Sequence, residues 1–119
     1  MSRHCRAILI YPTLAATLAP LSVAGAFSNG NRPDGDAGNG KRLFQTTARC
    51  IFCHTIEGRG GKTGPDLSHI GTKRDAQYIA AKISNPRLGT RSTMMPSANA
   101  LGLKGRDLAD LVAYLSSLK

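Results

Sequence analysis

Five consecutive residues, Cys50-Ile51-Phe52-Cys53-His54, constrain this chain more than any other stretch. Two cysteines three positions apart at the end of a helix bring both thiols within reach of one flat group. The histidine that follows adds a nitrogen donor for a metal. This C-x-x-C-H spacing is the signature of covalent haem attachment. Each thiol can form a thioether with one haem vinyl group, and His54 then falls under the iron as proximal ligand. Other chemistries fit less well. A zinc site needs four ligands, commonly with a second Cys or His pair, and only His69 follows His54. A redox-active thiol pair calls for a strand-to-helix setting, whereas the flanking segments here are Gly-rich. A disulfide between Cys50 and Cys53 would close a small, strained loop.

The chain has 119 residues, with 16 Lys and Arg against 7 Asp and Glu, for a formal charge of +9. At 41% hydrophobic it is too apolar for a disordered polycation, and its length suits one domain. Residues 1–26 read as a secretory signal. Arg3 and Arg6 form the basic start, Ala7 to Leu21 the apolar run, and Ala24-Gly25-Ala26 an A-x-A cleavage site. The alternative is a retained membrane anchor from Ala7 to Phe27, weakened by Pro12 and Pro20. Cleavage leaves two cysteines, Cys50 and Cys53, and keeps the excess of cations. The remaining chain buries only a modest core alone, so a cofactor would help to complete it.

Residues 27–34 should form a flexible leader. A first helix is expected from about Asp36 to Thr47, with Asp36 as N-cap and Gly40, Leu43, Phe44 and Thr47 on one face. Gly40 costs such a helix up to about 1 kcal/mol relative to Ala, which suggests a close neighbour. Glu57 to Pro65 reads as a loop. A middle helix is expected over Arg74 to Ser84, with Ala76, Ile79, Ala80 and Ile83 inward and Asn85-Pro86 as the stop. The last helix, about Gly105 to Leu118, carries the stripe Leu108, Leu111, Val112, Leu115 and Leu118. No segment reads as a convincing strand. The expected class is all-α, with long loops. Gly61-Lys62-Thr63 looks like the end of a phosphate-binding loop, but Ile56 stands where that pattern needs Gly.

A haem iron with no open site needs a sixth ligand, and the candidates are Met94, Met95 and His69. A methionine in a small domain is usually core filler. Met94 and Met95 lie instead in an irregular stretch stiffened by Pro96.

Residues 35–118 resemble the class I, mono-haem cytochromes c. Gly35-Asp36 with Gly40 and Phe44 is similar to that family's first helix. Thr63-Gly64-Pro65-Asp66-Leu67 is similar to the loop behind the proximal histidine, and Leu111-Val112-Ala113-Tyr114-Leu115 to the last helix. The resemblance implies a domain over residues 35–119. Three to four helices would wrap one haem c bound through two thioethers. In this family the axial methionine often directly precedes a proline, and the interval from Asn85-Pro86 to Met95 is also similar. The resemblance thus selects Met95, with Met94 as fallback, so the implied metal ligands are His54 and Met95. It also implies that the Pro65 carbonyl accepts the ring N–H of His54, and that Gly40 lets the first helix cross the last one against Tyr114. The short stretch before the middle helix and the lack of Trp depart from mitochondrial members, so the propionate environment is not carried over.

Ligands on both faces leave one-electron transfer as the chemistry, and no catalytic constellation is evident. The reading is an exported electron carrier between redox proteins. Its alternative is a dedicated cytochrome subunit of a periplasmic sulfur-compound or alcohol oxidoreductase. A sensor or peroxidase-like protein with a labile sixth ligand is a third reading. Lys41, Arg42, Arg49, Arg59, Lys62, Lys73, Arg74, Arg87 and Arg91 lie near the haem motif or the methionine loop. They are either an ordinary solvated surface or a basic ring that steers acidic partners. An exported haem protein with few stacking aromatics is a poor nucleic-acid binder, and membrane contact would depend on retention of the N-terminal segment.

Overall fold

The structure is a computed structural model that describes residues 34–119. The signal reading of residues 1–26 and the leader up to residue 33 lie outside the described residues. Four helices, α1 (Ala37–Gln45), α2 (Ile70–Lys73), α3 (Ala76–Ser84) and α4 (Gly105–Ser117), carry the fold. A single turn of 3-10 helix, Cys50–Phe52, and a short hairpin of β1 (Thr55–Ile56) and β2 (Arg59–Gly60) lie between α1 and α2. The two strands pair antiparallel, Thr55 opposite Gly60 and Ile56 opposite Arg59.

The α1 helix starts where its cap allows. The Asp36 carboxylate accepts the backbone N–H of Gly38 at 2.8 Å and of Asn39 at 3.1 Å. It ends two residues before the expected Thr47. The Thr46 hydroxyl donates back to the Arg42 carbonyl at 2.7 Å, and Arg49 at φ 51° reverses the chain into the motif. Thr47 is exposed, and Ala48 fills the buried place beside Leu43 instead.

The α3 helix begins at Ala76 because Asp75 caps it, its side chain accepting the Tyr78 N–H at 2.7 Å. Arg74, expected inside this helix, is extended and closes α2, with its guanidinium 4.7 Å from the Tyr78 ring centroid. Two elements were not expected. The α2 helix has four residues, too few to show a period. The hairpin turns on Glu57 (φ 50°) and Gly58 (φ 77°), the positive angles that a tight two-residue hairpin turn needs.

Helix α4 is the element on which the others rest. Leu111 and Phe44 are the largest fully buried side chains. Each contributes about 2–3 kcal/mol from burial alone. Phe44 meets Tyr114 edge-on with ring centroids 5.8 Å apart. Gly40 accounts for the close crossing. A Cβ there would run into the Asp110 carbonyl and lie 2.8 Å from the Tyr114 Cβ. From α3, Ile79 and Ile83 complete the core. The end of α4 is tied to α2, the Gly71 N–H donating to the Leu118 carbonyl at 2.8 Å.

Asp110 is buried at the α1–α4 crossing and had no role in the sequence reading. Its two oxygens accept the Asp36 N–H and the Asn39 side-chain amide, each at 2.7 Å. Arg106 stands 3.5 Å away. The Asn39 bond first, then the Asp36 bond, hold this carboxyl below the ordinary carboxylate range against the opposing effect of burial. A carboxyl depressed in the folded state adds stability above its unfolded pKa and loses it as pH falls through the folded one. Asp110→Asn should therefore lower the thermal midpoint by several degrees at neutral pH. The gap to wild type should close on acidification below the ordinary carboxylate range, as followed by circular dichroism. A gap independent of pH would remove the charge from the account.

Candidate functional site

The motif is wound into one tight turn. The N–H groups of Cys53 and His54 both donate to the Cys50 carbonyl, at 3.1 and 2.9 Å. The segment after the hairpin is then laced alongside it. Gly61 N–H donates to Ile51 at 2.8 Å, Gly64 to Cys53 at 2.6 Å and Leu67 to Thr55 at 2.9 Å. The Thr55 hydroxyl adds a bond to the Gly61 carbonyl at 2.8 Å. This lacing brings the Pro65 carbonyl oxygen to 2.8 Å from His54 Nδ1. A carbonyl can only accept, so Nδ1 carries the hydrogen, and in the neutral ring Nε2 is the nitrogen left to bind a metal. His54 itself is 9% exposed.

Cys50 is half-buried and Cys53 exposed, and neither is in a disulfide. Burial pushes the Cys50 thiol up to about 11, with Cys53 nearby adding to the effect. Cys50 is thus a neutral thiol at physiological pH, unlike the activated thiolates of redox pairs. No three His, Cys, Asp or Glu side chains among the described residues gather as a metal site.

The two methionines differ in burial. Met95 is half-buried and packs on the core, whereas Met94 is 87% exposed. Their loop is tied to α3 by the Ala98 N–H, which donates to the Ile83 carbonyl at 2.9 Å. His69 is exposed at the start of α2, and its ring Nδ1 lies 2.8 Å from the Lys119 carbonyl oxygen.

These residues fit a covalently held haem. The site offers a buried imidazole with one nitrogen fixed, two unpaired thiols on the same turn, and a loop methionine, Met95, packed against the core. The lacing by Thr55, Gly61 and Leu67 was missed in the sequence, where Glu57 to Pro65 read only as a loop. The nine cations near the motif and the methionine loop are all exposed. Among the described residues the one ion pair joins Arg106 to Asp110.

The chain belongs to the cytochrome c family, whose model matches residues 37–119. It is 33% identical over 109 residues to cytochrome c2 of Rhodopila globiformis, covering 76% of this chain and all of that one. It is 29% identical over 92 residues to cytochrome c-554(547) of Halothiobacillus neapolitanus, covering 71% of this chain and 99% of the relative. Among solved structures, a chain of SoxXA from P. pantotrophus shares the fold, with a TM-score of 0.65 at 21% identity over 71% of this chain and 82% of that one. The class I cytochrome c fold expected from the sequence is therefore the one observed. The protein is an electron carrier of this family with a covalently bound haem c, and Cys50, Cys53 and His54 fit the attachment motif.

Proposed function

We propose that this chain is an exported one-electron carrier, with Cys50 and Cys53 as the thioether residues and His54 and Met95 as the axial ligands. The observation that carries this reading is the opposite setting of the two methionines. Met95 is half-buried and packs against the core, whereas Met94 stands out in solvent. The bond from His54 to Pro65 supports the same reading, because it fixes the imidazole and raises its basicity as a ligand. His69 is a poor competitor, since it is exposed at the start of α2 and its ring is drawn to the last residue, Lys119.

The haem supplies the one-electron chemistry. His54 and Met95 would hold its iron between them, which would close the site to oxygen and peroxide, and the methionine would raise the potential relative to two histidines. Pro65 acts through His54. The exposed cations steer redox partners with acidic docking surfaces. Export to the periplasm rests on the basic start, apolar run and A-x-A site of residues 1–26. No helix among the described residues is long and apolar enough to cross a membrane.

A second reading is a dedicated subunit of a periplasmic oxidoreductase that oxidises sulfur compounds or alcohols. Phe52, a residue 66% exposed between the two motif cysteines, is an apolar side chain that such a partner would cover beside the attachment site. The SoxXA chain shares the fold that this role would use.

Met95→Ala should lower the reduction potential and let carbon monoxide bind the reduced protein at neutral pH, while Met94→Ala leaves both unchanged. The reverse pattern would move the ligand to Met94. Electron delivery to the acceptor should slow about tenfold or more as salt shortens the Debye length from about 30 Å to about 3 Å. A salt-independent rate would favour the permanent subunit.

A further inference from the structure

Gly64 has no backbone reason to be glycine. Its φ is not among the positive values, which belong to Gly58, Gly60, Gly89 and Gly102. What excludes a side chain there is the His54 ring. A Cβ on Gly64 would lie 2.6 Å from His54 Cε1, 2.8 Å from Nδ1 and 3.1 Å from Nε2. Those three atoms form one continuous edge of the imidazole, and it contains the nitrogen left free to bind a metal. The neighbouring glycines differ. At Gly60 a Cβ would meet the backbone carbonyls of His54 and Ile51, and at Gly61 the backbone of Phe52 and Cys53. Those two shape the loop, whereas Gly64 bears on the ring.

The hydrogen bond from Nδ1 to the Pro65 carbonyl is one point of attachment. With that bond alone the ring can still turn about its Cβ–Cγ bond within the angular tolerance of a hydrogen bond. The Gly64 backbone is itself fixed, its N–H donating to the Cys53 carbonyl at 2.6 Å. It therefore gives the ring a rigid flat stop one residue before the carbonyl that anchors it. We propose that Gly64 is a positioning residue that sets the rotation of the His54 imidazole, and with it the direction of the Nε2 lone pair. The proposal rests on His54 being the axial ligand. A methyl group at position 64 must turn the ring or push the loop outward. Either movement lengthens the bond to Pro65, makes the imidazole a weaker donor and favours the reduced state.

The test is proton NMR of the ferric holoprotein, in which the spread of the haem-methyl shifts follows the plane of the axial imidazole. Potentiometry accompanies it. Gly64→Ala should redistribute the methyl shifts and raise the potential. Gly105→Ala, which adds a methyl where nothing lies within 4 Å, should leave both as in wild type. A wild-type methyl pattern in Gly64→Ala would overturn the proposal. If Gly64→Ala yields no holoprotein, the reduced wild type decides. A strong nuclear Overhauser contact between the Gly64 α-protons and His54 Hε1 is expected, and its absence would overturn the proposal. His54→Ala, run alongside, isolates the underlying reading. An unchanged low-spin spectrum in that variant would mean that His54 is not the ligand, whatever Gly64 does.

Discussion

The fold depends on backbone-to-backbone contact with α4. Gly40 lets α1 cross it without a side chain between them, and Gly71 does the same for α2 near its end. Contact this close removes the tolerance that side chains give, so the angle of α1 against α4 is fixed by peptide groups. Asp110 then locks the crossing from within, by taking two donors from the start of α1. The site inherits this rigidity. The motif turn follows α1 after only a few residues, and α3, packed on α4, anchors the methionine loop through Ala98 and Ile83. A closed core on one side and a laced loop on the other leave His54 little freedom. That suits electron transfer, in which a ligand set that moves little between oxidation states keeps reorganisation small.

Much of this was legible in the sequence, and the reason differs from part to part. Helices α1, α3 and α4 are long enough for their apolar residues to show a period, and Asp36 marks the start of the first, whereas Asp75, the cap of α3, was placed inside that helix. The motif needed no fold at all, because its chemistry sits within five residues. Gly40 announced a close approach by its cost in a helix, and the structure supplies the neighbour. The Pro65 carbonyl is where the family resemblance led one to look.

The remainder was hidden for physical reasons. The α2 helix and the hairpin are shorter than any period that could reveal them. Asp110 lies directly before the run Leu111-Val112-Ala113-Tyr114-Leu115, and nothing in that run says that a carboxylate beside it is buried. Its partners, the Asp36 N–H and Asn39, lie at the other end of the domain in sequence. The setting of the two methionines is likewise a tertiary fact. Pro96 hinted at the choice, but which methionine is covered depends on how the loop hangs from α3. Gly64 reads in sequence as one more turn glycine, and only the His54 ring beside it gives it a different meaning.

The central claim is that His54 and Met95 both donate to one iron and close it. The far-red absorption of the ferric wild-type protein tests this most directly, because a methionine sulfur bound to ferric haem adds a weak charge-transfer band there. The account predicts the band at neutral pH, with no change on adding carbon monoxide to the reduced protein. A ferric spectrum without the band, together with carbon monoxide binding to the reduced form, would contradict it and leave an open or differently ligated site.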